Sequence, residues 1–317
     1  MARDRTFVKV VCVIALLLAA LRAAAEDDVA SREHWVDRDG FRLYVWEKFV
    51  GSPEGKPVVV LAHGSGTAGR ESFDLQMPGD YSLMDLLARA GYDVFAPDVH
   101  GFGRSARPEG HVTTDAAAAD LAAVVAAVRA CRGRQKIGMV AWSWGTQYAG
   151  LFVMAHPDAV SRYVSYAQMH VGSADLARGR ARLDFYRSHA WTVVPREGWK
   201  ARFRSGTPDD VTDPAVMERF ADAAAAVETR TSTGPQLDMV TRLPLVDPAR
   251  IAVPTLMIHG EYDDVADAGG LLPFFAALPN PEKRYVIVPR AGHLMHLQAG
   301  RTVFARAVID FLGAARE

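Results

Sequence analysis

The chain has 317 residues, half of them hydrophobic, and a formal net charge of −1. That is enough apolar material for the core of one large domain with an insertion, and it excludes the sparse hydrophobicity and high charge of disordered chains. The near-neutral balance also gives no reason to expect a nucleic-acid partner, which would normally show a basic face or a recognisable binding motif.

The N-terminus carries Arg3, Arg5 and Lys9, followed by an apolar run from residue 10 to 21 and then Ala23-Ala-Ala25 before the acidic Glu26-Asp-Asp28. A basic start, an apolar stretch shorter than the ~20 residues of a membrane span and an A-x-A site predict a secretory signal peptide over residues 1–25, cleaved after Ala25. The mature protein is then expected to be secreted or periplasmic, and to meet a membrane only if the segment is retained as an anchor. Cys12 would leave with the signal, so Cys131 is expected to have no intramolecular disulfide partner.

Apolar alternation over residues 34–38 and 41–50 around Asp39-Gly40 predicts a β-hairpin. Residues 56–62 form a continuous apolar run, as expected of a strand buried on both faces of a parallel sheet, and open into the loop His63-Gly-Ser-Gly-Thr-Ala-Gly69. Helical spacing over 82–90, closed by Gly91, leads to a strand over 92–98, and an Ala/Val-rich helix is predicted over 114–132. The run from Lys136 to Ser143 passes into a small-residue helical pattern, and another strand is predicted over 161–169. The alternation then stops until residues 251–260. Helical spacing over 174–190 and 214–229, punctuated by Pro and Gly, predicts a helical cap at 171–246 inserted after the sixth strand. A helix over 271–278, a strand over 284–289 and an amphipathic helix over 302–314 close the chain. The expected fold is α/β: a mostly parallel sheet with helices on both faces, its core built from residues 26–170 and 247–317.

Ligands of such sheets bind at the carboxyl ends of the strands. Ala141-Trp-Ser-Trp-Gly145 marks one such end as a strand–turn–helix that would push the Ser143 hydroxyl above the sheet. A serine hydroxyl needs a base, and His293, in a glycine-flanked loop after the last strand, can reach over the sheet edge. Cap aromatics including Phe185, Tyr186, Trp191, Trp199 and Phe203 suit either an apolar pocket or packing within the cap. Cap arginines including Arg178, Arg180, Arg182, Arg202 and Arg204 suit either a solvated helix face or an anionic substrate. His63, His259 and His296 are expected to be structural, whereas His100, Trp142 and His170 are candidates for substrate contact. No metal or cofactor motif is present, and none is expected.

The A-x-S-x-G turn, the order Ser143, Asp263, His293, the His63-Gly64-Ser65 loop and the Asp98–Ser105 glycine turn together resemble the α/β-hydrolase superfamily of serine hydrolases. The resemblance implies Ser143 as nucleophile, His293 as base and Asp263 as the carboxylate that orients it, with Asp264 as the neighbouring rival. It also implies an oxyanion hole made of the backbone N–H groups of Ser65 and Trp144. Haloalkane dehalogenases and epoxide hydrolases resemble the chain around the elbow but place aspartate where Ser143 stands. Ser143-Trp-Gly-Thr146 and Gly260-Glu-Tyr-Asp263 are nearer to proline iminopeptidases. Those carry H-G-G-P-G at the oxyanion loop and need cap carboxylates, for which Glu218 and Glu228 are candidates. The expected activity is cofactor-independent hydrolysis of an ester or related acyl bond through an acyl-serine. The alternatives are an iminopeptidase-like exopeptidase and a non-catalytic binding protein on the same fold.

Overall fold

The structure, a computed structural model, describes residues 28–171, 174–266 and 268–313, so the expected signal segment and its cleavage site lie outside the described residues. Strands β1 (Val29–Arg38) and β2 (Phe41–Val50) pair antiparallel. They are joined by Asp39 and Gly40, both at positive φ (49° and 84°), as the tight turn of a twisted hairpin demands. β3 (Val58–Ala62), β4 (Asp93–Pro97), β5 (Ile137–Trp142) and β6 (Val160–Tyr166) follow. Two-residue strands β7 (Trp191–Thr192) and β8 (Thr231–Ser232) form a separate ribbon, and β9 (Thr255–Gly260) and β10 (Lys283–Val288) complete the main sheet. Its order is β1-β2-β4-β3-β5-β6-β9-β10, antiparallel at β1–β2–β4 and parallel beyond. Every residue of β3, β4, β5 and β9 is buried, which is why their sequences read as uninterrupted apolar runs.

Helices α1 (Gly69–Phe73) and α2 (Leu83–Arg89) precede β4, α3 (Thr114–Arg132) precedes β5 and α4 (Gly145–Ala155) follows it. The ends of α3 are set locally: the Thr113 hydroxyl accepts from the Ala116 N–H, and Gly133 stops the helix at φ 59°. Leu121, Val124 and Tyr148 of α3 and α4 pack with Val58, Val60 and Met139 on one face of the sheet. Leu83 and Leu87 of α2 pack with Val59, Leu61 and Val140 on the other. The single sheet is thus covered on both sides.

Between β6 and β9 the chain forms α5 (Ala174–Arg180), α6 (Leu183–Ser188), α7 (Arg196–Ala201), α8 (Pro214–Val227) and α9 (Gly234–Arg242), with the β7–β8 ribbon among them. The helix expected over 174–190 is two helices with a break at Ala181 and Arg182. The ribbon was not expected, because strands of two residues have no period, and the Thr233 N–H that bonds the Ala190 carbonyl at 3.0 Å comes from far along the chain. The strand expected to reach residue 169 ends at Tyr166, since Ala167 turns to φ 53°. After β9 come α10 (Ala268–Ala277) and α11 (Arg301–Gly313), whose Phe304, Val308 and Phe311 join the α2 face.

Arg107 ties this insertion to the core. Its guanidinium donates to the carbonyls of Gly101 (2.9 Å) and Gly103 (2.9 Å) below and to those of Val227 (3.2 Å) and Arg230 (2.6 Å) above. It also pairs at 3.0 Å with Glu228, which is buried and accepts the Gly103 N–H at 2.9 Å.

Candidate active site

Ser143 stands between β5 and α4 at φ 56°, a left-handed conformation that costs a non-glycine residue on the order of 1 kcal/mol or more. Hydrogen bonds over-determine it. Its N–H donates to the Tyr166 carbonyl (3.0 Å), and its carbonyl accepts from the Thr146 N–H (2.8 Å) and hydroxyl (2.6 Å). Gly145 is obligatory here, because a Cβ would lie 2.4 Å from the Ala62 carbonyl oxygen. The elbow therefore packs directly against the end of β3, bringing the loop that starts at His63 alongside Ser143.

His293 Nε2 lies 2.9 Å from Ser143 Oγ, and His293 Nδ1 lies 3.0 Å from each carboxylate oxygen of Asp263. A carboxylate only accepts, so the Nδ1 proton points to Asp263 and Nε2 is left to accept from the serine hydroxyl. Burial acts to raise the Asp263 carboxyl. The charge and hydrogen bond of His293, with help from His259 and the Ala266 N–H, more than offset it, holding the group below the usual carboxylate range. The N–H groups of Val265 (3.0 Å) and Ala266 (3.2 Å) bind its Oδ1. Asp264 instead accepts from the Ser205 hydroxyl at 2.6 Å and lies 3.8 Å from Arg178.

The His293 backbone is held from below. Its carbonyl accepts from Trp142 Nε1 (2.9 Å) and lies 3.0 Å from the Tyr166 hydroxyl, which also meets His296 Nδ1 at 2.8 Å. His296 Nε2 donates to the Ser72 carbonyl at 2.7 Å, and burial lowers this imidazole to about 4, so it is neutral. Burial lowers His63 to about 4 as well. Its Nδ1 donates to the Gly64 carbonyl (2.8 Å) while Nε2 accepts from the Val99 N–H (3.3 Å). The backbone N–H groups of Ser65 and Trp144 have no hydrogen-bond acceptor among the described residues.

Above these groups is a cavity of about 520 Å³ whose wall includes Ser65, Trp142, Ser143 and His293 from the core and Arg178, Tyr186, Arg202 and Gln236 from the insertion. A second hollow of about 300 Å³ shares Arg178, Arg182, Tyr186, Gln236 and Met239 with it. Among the described residues, three arginines, Arg178, Arg182 and Arg202, and no carboxylate line the larger cavity. Sequence spacing left two readings of the cap arginines open, and both apply: Arg178 and Arg182 are exposed yet stand in the cavity wall with Arg202, whereas Arg180 and Arg204 do not line it.

Two candidates for substrate contact are corrected. His100 is buried, stacks on Phe41 at 4.9 Å and turns Nδ1 and its backbone N–H to Asp120 on α3, so it does not line the cavity. His170 packs edge-on against Phe274 at 5.2 Å and is likewise absent from the cavity wall. Trp142 does line it. Glu228 is committed to Arg107, and Glu218 pairs with Arg196 and Lys200, both at 2.6 Å, so neither faces the cavity. Asp98 is buried and accepts from the Gly69 N–H (2.8 Å) and the Arg104 N–H (3.0 Å), and desolvation raises its carboxyl to about 8; this fits the supporting role expected of the Asp98–Ser105 turn.

A family model described as "alpha/beta hydrolase fold" matches residues 57–299. Along 94% of this chain and 96% of the other, the sequence is 25% identical to a 2-hydroxy-6-oxo-6-(2'-aminophenyl)hexa-2,4-dienoic acid hydrolase of Metapseudomonas resinovorans. A shorter stretch of 134 residues, 42% of this chain, is 37% identical to epoxide hydrolase A of Mycobacterium tuberculosis (strain ATCC 25618 / H37Rv) but spans only 37% of that enzyme's length. Among solved structures, an esterase from Exiguobacterium antarcticum superposes with a TM-score of 0.67 at 17% identity, over 89% of this chain and 99% of that one.

Proposed function

The chain belongs to the α/β-hydrolase fold family, and from that premise we propose a cofactor-independent serine hydrolase that cleaves an ester or related acyl bond through an acyl-serine. One observation carries the reading: the unbroken hydrogen-bonded line Ser143 Oγ, His293 Nε2, His293 Nδ1, Asp263 at the floor of a cavity. In this mechanism Ser143 attacks the acyl carbon as His293 Nε2 takes its proton, and the N–H groups of Ser65 and Trp144 hold the oxyanion. His293 then gives that proton to the leaving group. A water, activated by the same imidazole, releases the acid and restores the serine.

The cavity wall favours acyl substrates that carry negative charge. Among the described residues it presents three guanidinium groups and no carboxylate, the reverse of what an exopeptidase needs for a substrate ammonium. The relative that spans nearly the whole chain is named as a hydrolase of a dienoic acid, an anion at neutral pH, which agrees with this preference. Ser143 in the nucleophile position speaks against epoxide opening, for which the family resemblance implies an aspartate. A binding protein would have no need of the Ser143–His293 contact, which speaks against that alternative.

Labelling with an alkyl fluorophosphonate tests the nucleophile. Wild-type protein should be labelled and Ser143→Ala should not; equal labelling of both, or none of either, removes the proposal. The basic start, apolar run and Ala23-Ala-Ala25 further support export. N-terminal sequencing of protein recovered outside the cytoplasm should begin at Glu26, and retention of Met1 in a membrane fraction would favour the anchor.

A further inference from the structure

Ser65 sits between two glycines, in a segment whose peptide planes have little steric reason to keep one orientation. Each plane is nevertheless held. The Gly64 carbonyl accepts from His63 Nδ1 at 2.8 Å, and because a peptide is planar and trans, this aims the Ser65 N–H to the opposite side. The next plane is held by the insertion: the Ser65 carbonyl accepts from Arg202 Nη1 at 2.9 Å.

Arg202 is built into that position. Its guanidinium lies 4.3 Å from the ring centroid of Trp199 on one side, and on the other it covers Gly66. Gly66 takes φ 94°, and a Cβ there would come within 2.4 Å of Nη2, so the glycine serves both the turn and the cation. Trp199 and Phe203, the buried residues on either side of Arg202 in sequence, pack into the insertion, Phe203 against Phe220 at 5.2 Å. The backbone that carries the guanidinium is therefore fixed to the helices above the cavity and not to the sheet.

We propose that Arg202 is a positioning residue for hydrolysis: from the cap it clamps the Ser65–Gly66 peptide and so fixes Ser65 from its C-terminal side, holding in place over Ser143 the N–H that His63 orients through Gly64. Oxyanion stabilisation then depends on a docked cap. This rests on the serine-hydrolase reading above, in which Ser65 is an oxyanion donor.

The test uses p-nitrophenyl butyrate, which is neutral and so gives the guanidinium no anion to bind, together with an alkyl fluorophosphonate. Arg202→Ala should lower kcat roughly 10- to 100-fold, the scale of a catalytic group displaced by a fraction of an ångström to an ångström. KM should stay within about twofold, since the interaction is one strengthened in the transition state. The melting temperature should barely move. Millimolar guanidinium should restore part of the lost rate in Arg202→Ala, and Arg202→Lys should keep part of it because an ammonium can still reach the carbonyl. Gly66→Ala, which displaces the cation, should slow the reaction alone but add little to Arg202→Ala. Unchanged kcat in Arg202→Ala, or an effect confined to KM for anionic esters, would overturn the inference while leaving the nucleophile in place. A wild-type protein that neither reacts with the fluorophosphonate nor cleaves the ester removes both. Should Arg202→Ala fail to fold, Arg202→Lys carries the kcat comparison by itself.

Discussion

Ser143 is held at positive φ by three hydrogen bonds with two residues, Tyr166 and Thr146, but His293 is held by something less local. Its carbonyl rests on Trp142 and Tyr166, and Tyr166 rests on a neutral His296 that reaches back to Ser72 before β4. The sequence placed His296 among structural residues correctly in kind, yet nothing in its spacing pointed to Tyr166 or Ser72. His296 has a consequence for stability. Its pKa falls from 6.5 to about 4 on folding, so below pH 6.5 the unfolded chain takes up a proton that the folded chain refuses. The contribution of the neutral ring is complete above pH 6.5 and is lost as pH falls toward 4. In His296→Gln an amide can donate to Ser72 and accept from Tyr166 but does not titrate. The stability gap between wild type and this variant should therefore shrink by on the order of 2 kcal/mol between pH 7.5 and 4.5. His63 behaves alike but is present in both proteins and cancels. Denaturant melts at both pH values decide it, and a gap independent of pH would mean the ring is not neutral in the fold.

At the scale of elements, legibility followed burial. β3, β4, β5 and β9 are buried on both faces, so their runs stood out, and the loops closing them could be searched for chemistry. The Ser143, Asp263 and His293 positions came from that search together with the family resemblance. His100 was misplaced because its partner, Asp120, lies on the following helix and spacing cannot show which way a side chain turns after a strand. The insertion was least legible: its helices are short, its ribbon is two residues per strand, and its hold on the core is long-range. Arg107 carries much of that hold, and its loss would leave Glu228 buried without a cation. Burial already raises the Glu228 carboxyl to about 7 against the pull of Arg107. Arg107→Met should destabilise the protein by about 3 kcal/mol, the usual cost of removing one partner of a buried pair. Loss of amide-exchange protection should be concentrated in α8 and the β7–β8 ribbon. Uniform loss across the main sheet would show that the insertion and core do not open separately.

The whole molecule is close to neutral, with a formal charge of −1, yet among the described residues the cavity over Ser143 is lined by Arg178, Arg182 and Arg202 with no carboxylate. Charge is thus segregated and not scarce, and segregation of this kind concentrates the field where the surrounding protein is a poor dielectric. Asp264, 3.8 Å from Arg178, offsets part of it, and Arg202 is engaged with Ser65, which leaves Arg182, stacked over Phe185 and Tyr186, as the guanidinium best placed to meet a substrate. Two p-nitrophenyl esters of similar length, the butyrate and the mono-ester of glutaric acid, differ mainly by one terminal carboxylate. At low ionic strength kcat/KM should favour the glutarate by about tenfold, a coupling of modest size for a partly exposed charge pair. Raising salt to about 0.5 M, where the Debye length is only a few ångströms, should narrow the ratio. Arg182→Gln should narrow it at every salt concentration while leaving butyrate turnover nearly unchanged, because the uncharged ester gains nothing from the cation. Equal rates for the two esters at low salt would show the arginines to be structural, and the acyl specificity would then have to come from the shape set by Trp142, Met169 and Met239.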